Sequence, residues 1–162
     1  MDFLGLLVLL ILSAAFSGTE TALFSLGQAE IARLQSSKKS RGRQVAHLLR
    51  QANDLLSSLL IGNLLVNTAA GVVATSLCLD LFGDKGVAVA VPVVTLLLLL
   101  LGEITPKMLA LRYRVQVSVV AQAPLTVWMI ITRPFLLVTR VLTDTLLRLL
   151  PFERVGGRAL TP

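Results

Sequence analysis

The chain has 162 residues, of which 55% are hydrophobic and 15% charged, with a mean hydropathy of +0.82. Soluble domains carry about a quarter charged residues, so this balance excludes a water-soluble fold and leaves no room for a separate soluble enzyme domain. The formal charge of +6 does not indicate nucleic acid, because the Lys and Arg lie between and after long apolar runs, where they set membrane topology.

The first apolar run, Phe3 to Leu26, is long enough to cross a hydrocarbon core of about 30 Å. Ser13-Ala14-Ala15-Phe16-Ser17 has the small residues of a signal-peptide cleavage site. The run nevertheless opens on Asp2 without a basic residue, and apolar character resumes at Ala22-Leu23-Phe24, so a retained helix is expected. Residues 27–54 turn polar, with Arg33, Lys38, Lys39, Arg41, Arg43 and Arg50. A second apolar run covers Leu55 to Leu79, and Asp80, Asp84 and Lys85 make the next connection with Gly83 and Gly86 as turn residues. The third run, Val87 to about Leu111, is broken by Pro92 and by Gly102-Glu103-Ile104-Thr105-Pro106-Lys107. The basic loop belongs inside, which puts the amino terminus and the 80–86 connection outside.

Beyond Leu111, Val117 to Ile131 is apolar for only about 15 residues and contains Gln122 and Pro124, short of the roughly 20 that a crossing needs. From Phe135 to Leu150, Arg140, Asp144 and Arg148 recur every fourth residue as one polar stripe, the pattern of a helix lying in the membrane interface. The expected fold is an all-α integral membrane protein. One domain over 1–150 has three spanning helices, at about 3–26, 55–79 and 87–111, with juxtamembrane amphipathic helices within 28–53 and 115–150. A tail follows at 151–162. A fourth span over 117–140 is the alternative. A homodimer is expected, because one three-helix unit has little interior in which to hide Glu20, two Asn and Glu103 from lipid, and Gly18, Ala69, Ala70 and Gly71 offer close-packing surfaces.

Unsatisfied polar groups in hydrocarbon cost several kcal/mol, so those in the spans are candidates for function. In the first run Ser13, Ser17 and Thr21 are spaced by four and Glu20 lies three after Ser17, so hydroxyls and a carboxyl share a face, and Gly18 among them admits a close backbone. In the second, Asn63 and Asn67 stand one turn apart, either as ligands or as an interhelical hydrogen-bond pair. In the third, Pro106 lacks an N–H, so the Gly102 carbonyl loses its helical partner beside the Glu103 carboxylate. A plain proline kink with Glu103 paired to Lys107 is the simpler account. Hydroxyl, amide, carboxylate and carbonyl oxygens suit Mg²⁺ or Ca²⁺ rather than zinc or copper. Cys78 has no partner cysteine and reads as a small buried hydrophobe, and His47 as a surface histidine. No histidine lies in a span to activate a serine and no membrane aspartate pair exists, so a non-enzyme is expected.

Ser17-Gly18-Thr19-Glu20-Thr21-Ala22-Leu23-Phe24-Ser25, then Gly62-Asn63-Leu64-Leu65-Val66-Asn67, then Gly102-Glu103-Ile104-Thr105-Pro106-Lys107 resemble, in order and spacing, three signature stretches of the membrane domain of the CorC and cyclin M (CNNM) magnesium transporters. The likeness runs over about residues 3–150. It implies a homodimer in the inner (plasma) membrane, with the amino terminus outside and the carboxyl terminus cytoplasmic. It also implies Mg²⁺ as the transported ion, exported in exchange for Na⁺. The implied ion ligands are Ser17, Asn63, Asn67, Glu103 and the carbonyl of Gly102, supported by Gly18, Glu20, Thr21, Pro106 and Lys107. A membrane-embedded Mg²⁺ sensor or scaffold is the rival reading. The family continues into a pair of CBS nucleotide-binding domains. The sequence ends instead at Gly156-Gly157-Arg158-Ala159-Leu160-Thr161-Pro162, read either as a tail cut short of them or as the end of a membrane domain that stands alone.

Overall fold

The computed structural model describes residues 2–37 and 39–149, and every regular element among them is helical. The first apolar run forms α1, Asp2–Phe24. Two short helices follow in the polar loop, α2 at Gln28–Gln35 and α3 at Ser40–Arg50. The second and third runs form α4, Ala52–Leu97, which passes into a π-helical segment at Leu98–Ile104 and then α5 at Thr105–Arg112. The last helix, α6, runs over Arg114–Leu149.

α4 contains two arms rather than one rod. Gly83 breaks it with φ 62° and ψ −175°, a backbone shape that glycine adopts without Cβ conflict. The arms Ala52–Gly83 and Gly86–Arg112 lie side by side, with Thr68, Gly71, Thr75, Cys78, Thr95 and Leu98 lining the cavity between them. Of the two glycines expected to turn the chain here, Gly83 does so.

Four helices are long and apolar enough to cross a membrane: Phe3–Phe24, Ala52–Gly83, Gly86–Arg112 and Arg114–Val138. Three of them coincide with the expected spans. The fourth corrects the expected shortness of the last apolar stretch, because α6 continues unbroken through Pro124 and Pro134. Gln122 does not interrupt it for lipid, since that side chain is only 5% exposed and faces protein. The side chains of Arg140, Asp144 and Arg148, and the tail expected at 151–162, lie outside the described residues.

Apolar helices gain little by burying apolar surface against one another in lipid, so close packing and polar contacts hold them together. α1 uses small residues for this. Its Gly18 faces Pro106 and Ala110, where an added Cβ would lie 3.5 Å from the Pro106 carbonyl oxygen. On the first arm of α4, Gly62 receives the ring of Phe16, which also meets Trp128 of α6 edge-on at 5.2 Å between centroids. Trp128 Nε1 donates to the Ser58 carbonyl at 2.8 Å, and the Ser58 and Thr132 hydroxyls bond each other at 2.6 Å, both buried. An apolar cluster of Leu23, Leu26, Leu34, Val45, Leu48 and Leu55 packs the short helices onto the bundle where α1 ends and α4 begins.

Candidate ion site

The three polar clusters meet in one place, on three neighbouring helical segments. Ser13 and Ser17, one turn apart on α1, are 1% and 0% exposed. The Ser13 hydroxyl donates to Asn67 Oδ1 at 2.6 Å, and Asn67 Nδ2 donates to Glu103 Oε1 at 2.7 Å, so α1, α4 and the π segment are joined by a single chain of polar groups. The Ser17 hydroxyl lies 3.4 Å from the Glu103 carbonyl oxygen.

The backbone around Glu103 is open for a local reason. In the π segment Leu98–Ile104, the Thr105 N–H reaches back to the Leu100 carbonyl, five residues earlier, which widens the turn. Pro106 supplies no N–H to the Gly102 carbonyl. The Ser13 hydroxyl is 3.5 Å from that oxygen, but its single proton is already directed at Asn67. The Gly102 carbonyl oxygen thus faces the Ser13 hydroxyl one residue away from the Glu103 carboxylate. Gly102 permits this arrangement, since a Cβ there would stand 2.9 Å from Ser13 Oγ.

Asn63 sits one turn from Asn67 on the same face of α4, and its Oδ1 is buried with no hydrogen-bond partner. An amide oxygen left unpaired in a buried setting costs about 1–3 kcal/mol, which makes this oxygen free to accept from or coordinate a further group. The expected residues Ser17, Asn67, Gly102 and Glu103 are therefore brought together, with Asn63 adjoining. Gly18 and Pro106 support them by setting the distance between helices. Thr21 instead bonds its own helix, donating to the Ser17 carbonyl at 3.1 Å. Glu20 is half-buried and makes none of these hydrogen bonds, and Lys107 forms no ion pair with Glu103. The proline-kink account with a Glu103–Lys107 pair is not what the side chains adopt.

Ser13 is a member of the network that the expected ligand set leaves out, although its spacing of four from Ser17 had placed both on one face. Among the described residues no group of three His, Cys, Asp or Glu side chains could hold a metal. Any ion here would be met by one carboxylate and otherwise neutral oxygens, the hard donor set that suits Mg²⁺ or Ca²⁺.

A second polar junction ties the loop to the bundle. Arg114, at the start of α6, donates to Glu30 Oε1 at 2.9 Å and to the Ser25 carbonyl at 3.4 Å. Glu30 Oε2 also accepts the Gly27 N–H at 2.9 Å, the glutamate half of a capping box at the start of α2. The Gly27 N–H and then the Arg114 guanidinium hold the Glu30 carboxyl below its ordinary pKa. The sequence offered no periodic signal for this pair, since 84 residues separate its members.

Comparison with known proteins bears on the same stretch of chain. The family model described as the cyclin M transmembrane N-terminal domain matches residues 4–162. A UPF0053 protein of Haemophilus influenzae is 35% identical over 147 residues, covering 91% of this chain and 35% of its own length. The UPF0053 inner membrane protein YfjD of Escherichia coli is 32% identical over 139 residues, covering 86% of this chain and 32% of its own length. A chloroplastic DUF21 domain-containing protein of Arabidopsis thaliana is 34% identical over 155 residues, covering 95% of this chain and 23% of its own length. The chain spans about a third or less of the length of these curated relatives.

Proposed function

The chain belongs to the cyclin M transmembrane family, and from that premise we propose that it carries Mg²⁺ across the membrane, exporting it in exchange for Na⁺, through the site between α1, α4 and the π segment. The observation that carries this reading is the convergence of one carboxylate, two serine hydroxyls, an asparagine and the Gly102 carbonyl inside a membrane bundle, with the buried, unpaired Asn63 oxygen one helical turn from Asn67. Mg²⁺ is small and strongly hydrated, and it takes oxygen ligands at about 2.0–2.1 Å. The Glu103 carboxylate offsets part of its dehydration cost, and Ser17, Asn63, Asn67 and the Gly102 carbonyl replace water around it.

In this reading the polypeptide works as a homodimer with three spans per subunit in the inner (plasma) membrane, the location named for the Escherichia coli relative. The amino terminus faces out and the basic 27–54 loop and carboxyl terminus face the cytoplasm. Helix α6 then lies along the cytoplasmic side, consistent with its start beside Glu30 and its packing against α3. A sensor that binds Mg²⁺ without moving it draws on one observation, that Asn67 satisfies both its neighbours and so holds the site in a stable closed network.

Flux separates the two. Liposomes holding only this polypeptide, loaded with a Mg²⁺ indicator, are expected to change internal Mg²⁺ when a Na⁺ gradient is imposed. Saturable Mg²⁺ binding without any flux, under either gradient direction, would make it a sensor.

A further inference from the structure

Helix α3 has two faces with different fates. Gly42, Val45, Ala46 and Leu48 are buried, and Val45 and Leu48 join the apolar cluster with Leu23, Leu26 and Leu55. The opposite face carries Arg43, His47 and Arg50 at i, i+4 and i+7, all exposed, with exposed Lys39 and Arg41 at its entry. Neither Arg43 nor Arg50 has an ion-pair partner among the described residues, where the ion pair formed is Arg114 with Glu30.

An amphipathic helix at a bilayer ordinarily sinks its apolar face among acyl chains and turns its basic face to water. In this protein the apolar face of α3 is already occupied by the bundle, so that mode of attachment is closed. What α3 presents outward is charge, at the level of the membrane boundary. It ends at Arg50, α4 begins at Ala52, and its buried face rests on the end of α1.

We propose that the exposed face of α3 binds the phosphate groups of anionic phospholipids, with Arg43 and Arg50 as the main contacts and Lys39 and Arg41 at the approach. The guanidinium fork matches a phosphate in two hydrogen bonds, and an anionic leaflet attracts basic side chains lying within a Debye length of it. An acidic protein partner fits less well, because the face lies beside the spans, where lipid headgroups are the most concentrated anions. Headgroups held there press α3 onto Leu23, Leu26 and Leu55, and so onto the two helices that carry Ser17 and Asn67. The proposed transport reading supplies only the leaflet, the cytoplasmic one, and the binding itself is independent of it.

The test is thermal melting of the full chain in mild detergent, titrated with dioctanoyl phosphatidylglycerol, dioctanoyl phosphatidylcholine or inorganic phosphate. Phosphatidylglycerol is expected to raise the melting temperature by several degrees, and the other two are not. In R43Q/R50Q the phosphatidylglycerol midpoint moves up roughly thirtyfold, the factor expected for two basic residues at an anionic surface, while R33Q on α2 leaves it in place. Should the double variant fail to fold, salt titration of the parent decides instead, since a preference for phosphatidylglycerol that high salt does not weaken overturns the proposal. Equal shifts with phosphatidylcholine or free phosphate, or an unchanged midpoint in a folded R43Q/R50Q, also overturn it.

Discussion

Replacing Glu103 by Gln separates the ion-binding role of this side chain from its structural one. The carboxylate accepts the Asn67 amide at 2.7 Å, and a Gln carbonyl of the same shape can accept it equally. The change exchanges a charge-assisted hydrogen bond for a neutral one, a loss of about 1 kcal/mol in stability. Binding should suffer far more. A divalent ion and a unit negative charge about 3 Å apart attract by about 3 kcal/mol even at the dielectric constant of water, and by more in a partly buried site. Mg²⁺ affinity should therefore fall by at least about a hundredfold. Lys107→Met is the companion variant. Lys107 makes no ion pair with Glu103, so its loss should leave affinity within a fewfold of the parent and the melting temperature nearly unchanged. Calorimetric Mg²⁺ titration of all three proteins, with melting curves in the same detergent, reads both quantities. The reasoning fails if Glu103→Gln binds Mg²⁺ like the parent, or if its affinity falls only as far as its lost stability accounts for.

Gly62→Val should destabilise the bundle by about 1–3 kcal/mol, because even its Cβ would stand 2.5 Å from the Phe16 ring, and a drop in melting temperature is the readout. Ser58→Ala removes the buried bond to Thr132 and should cost about 1–2 kcal/mol; Ser118→Ala, whose hydroxyl is buried without a partner, should cost nothing measurable in the same assay. Glu30 has a lowered pKa, so its contribution is present above the ordinary carboxylate value and is lost as pH falls through the depressed one. The melting temperatures of parent and Glu30→Gln should differ near neutrality and converge on acidification, and a gap that persists in acid would refute the assignment. With Cys78 replaced, cysteines placed at Ser37 and Thr145 should both resist an impermeant thiol reagent added outside intact cells, whereas one at Asp80 should react; labelling of Thr145 from outside would make α6 a fourth crossing.

The spans were legible because each is a run long enough to be read by length alone, and the loop between the first two because its charges are dense. The oxygen cluster at Gly102 and Glu103 was legible for a covalent reason, since proline cannot supply an N–H wherever it occurs. The full extent of α6 was not. Gln122 and Pro124 look like interruptions when every residue is imagined facing lipid, but Gln122 is turned into the protein and the proline costs the helix only one local bond. Contacts such as Ser58 with Thr132, 74 residues apart, and Ser13 with Gly102, 89 apart, left no trace in spacing because no periodicity connects separate helices. The π segment was equally hidden. The six leucines before Gly102 read as ordinary α-helix, and nothing in their spacing marks the wider turn.

That wider turn alters how any residue-by-residue scan of this helix will read. An α-helix advances about 100° per residue, and a π segment accommodates in effect one more residue per turn. Positions on either side of Leu98–Ile104 are therefore out of phase by roughly one residue's rotation, about 100°. Thr95, which lines the cavity between the arms, and Gly102, which touches Ser13, do not share the angular relation that a single wheel drawn from Gly86 to Arg112 would give them. A tryptophan or cysteine scan should show two sinusoids, each of period 3.6, joined by a phase jump within those seven residues, and averaging them as one would misplace Glu103 by up to about a quarter-turn of its own helix.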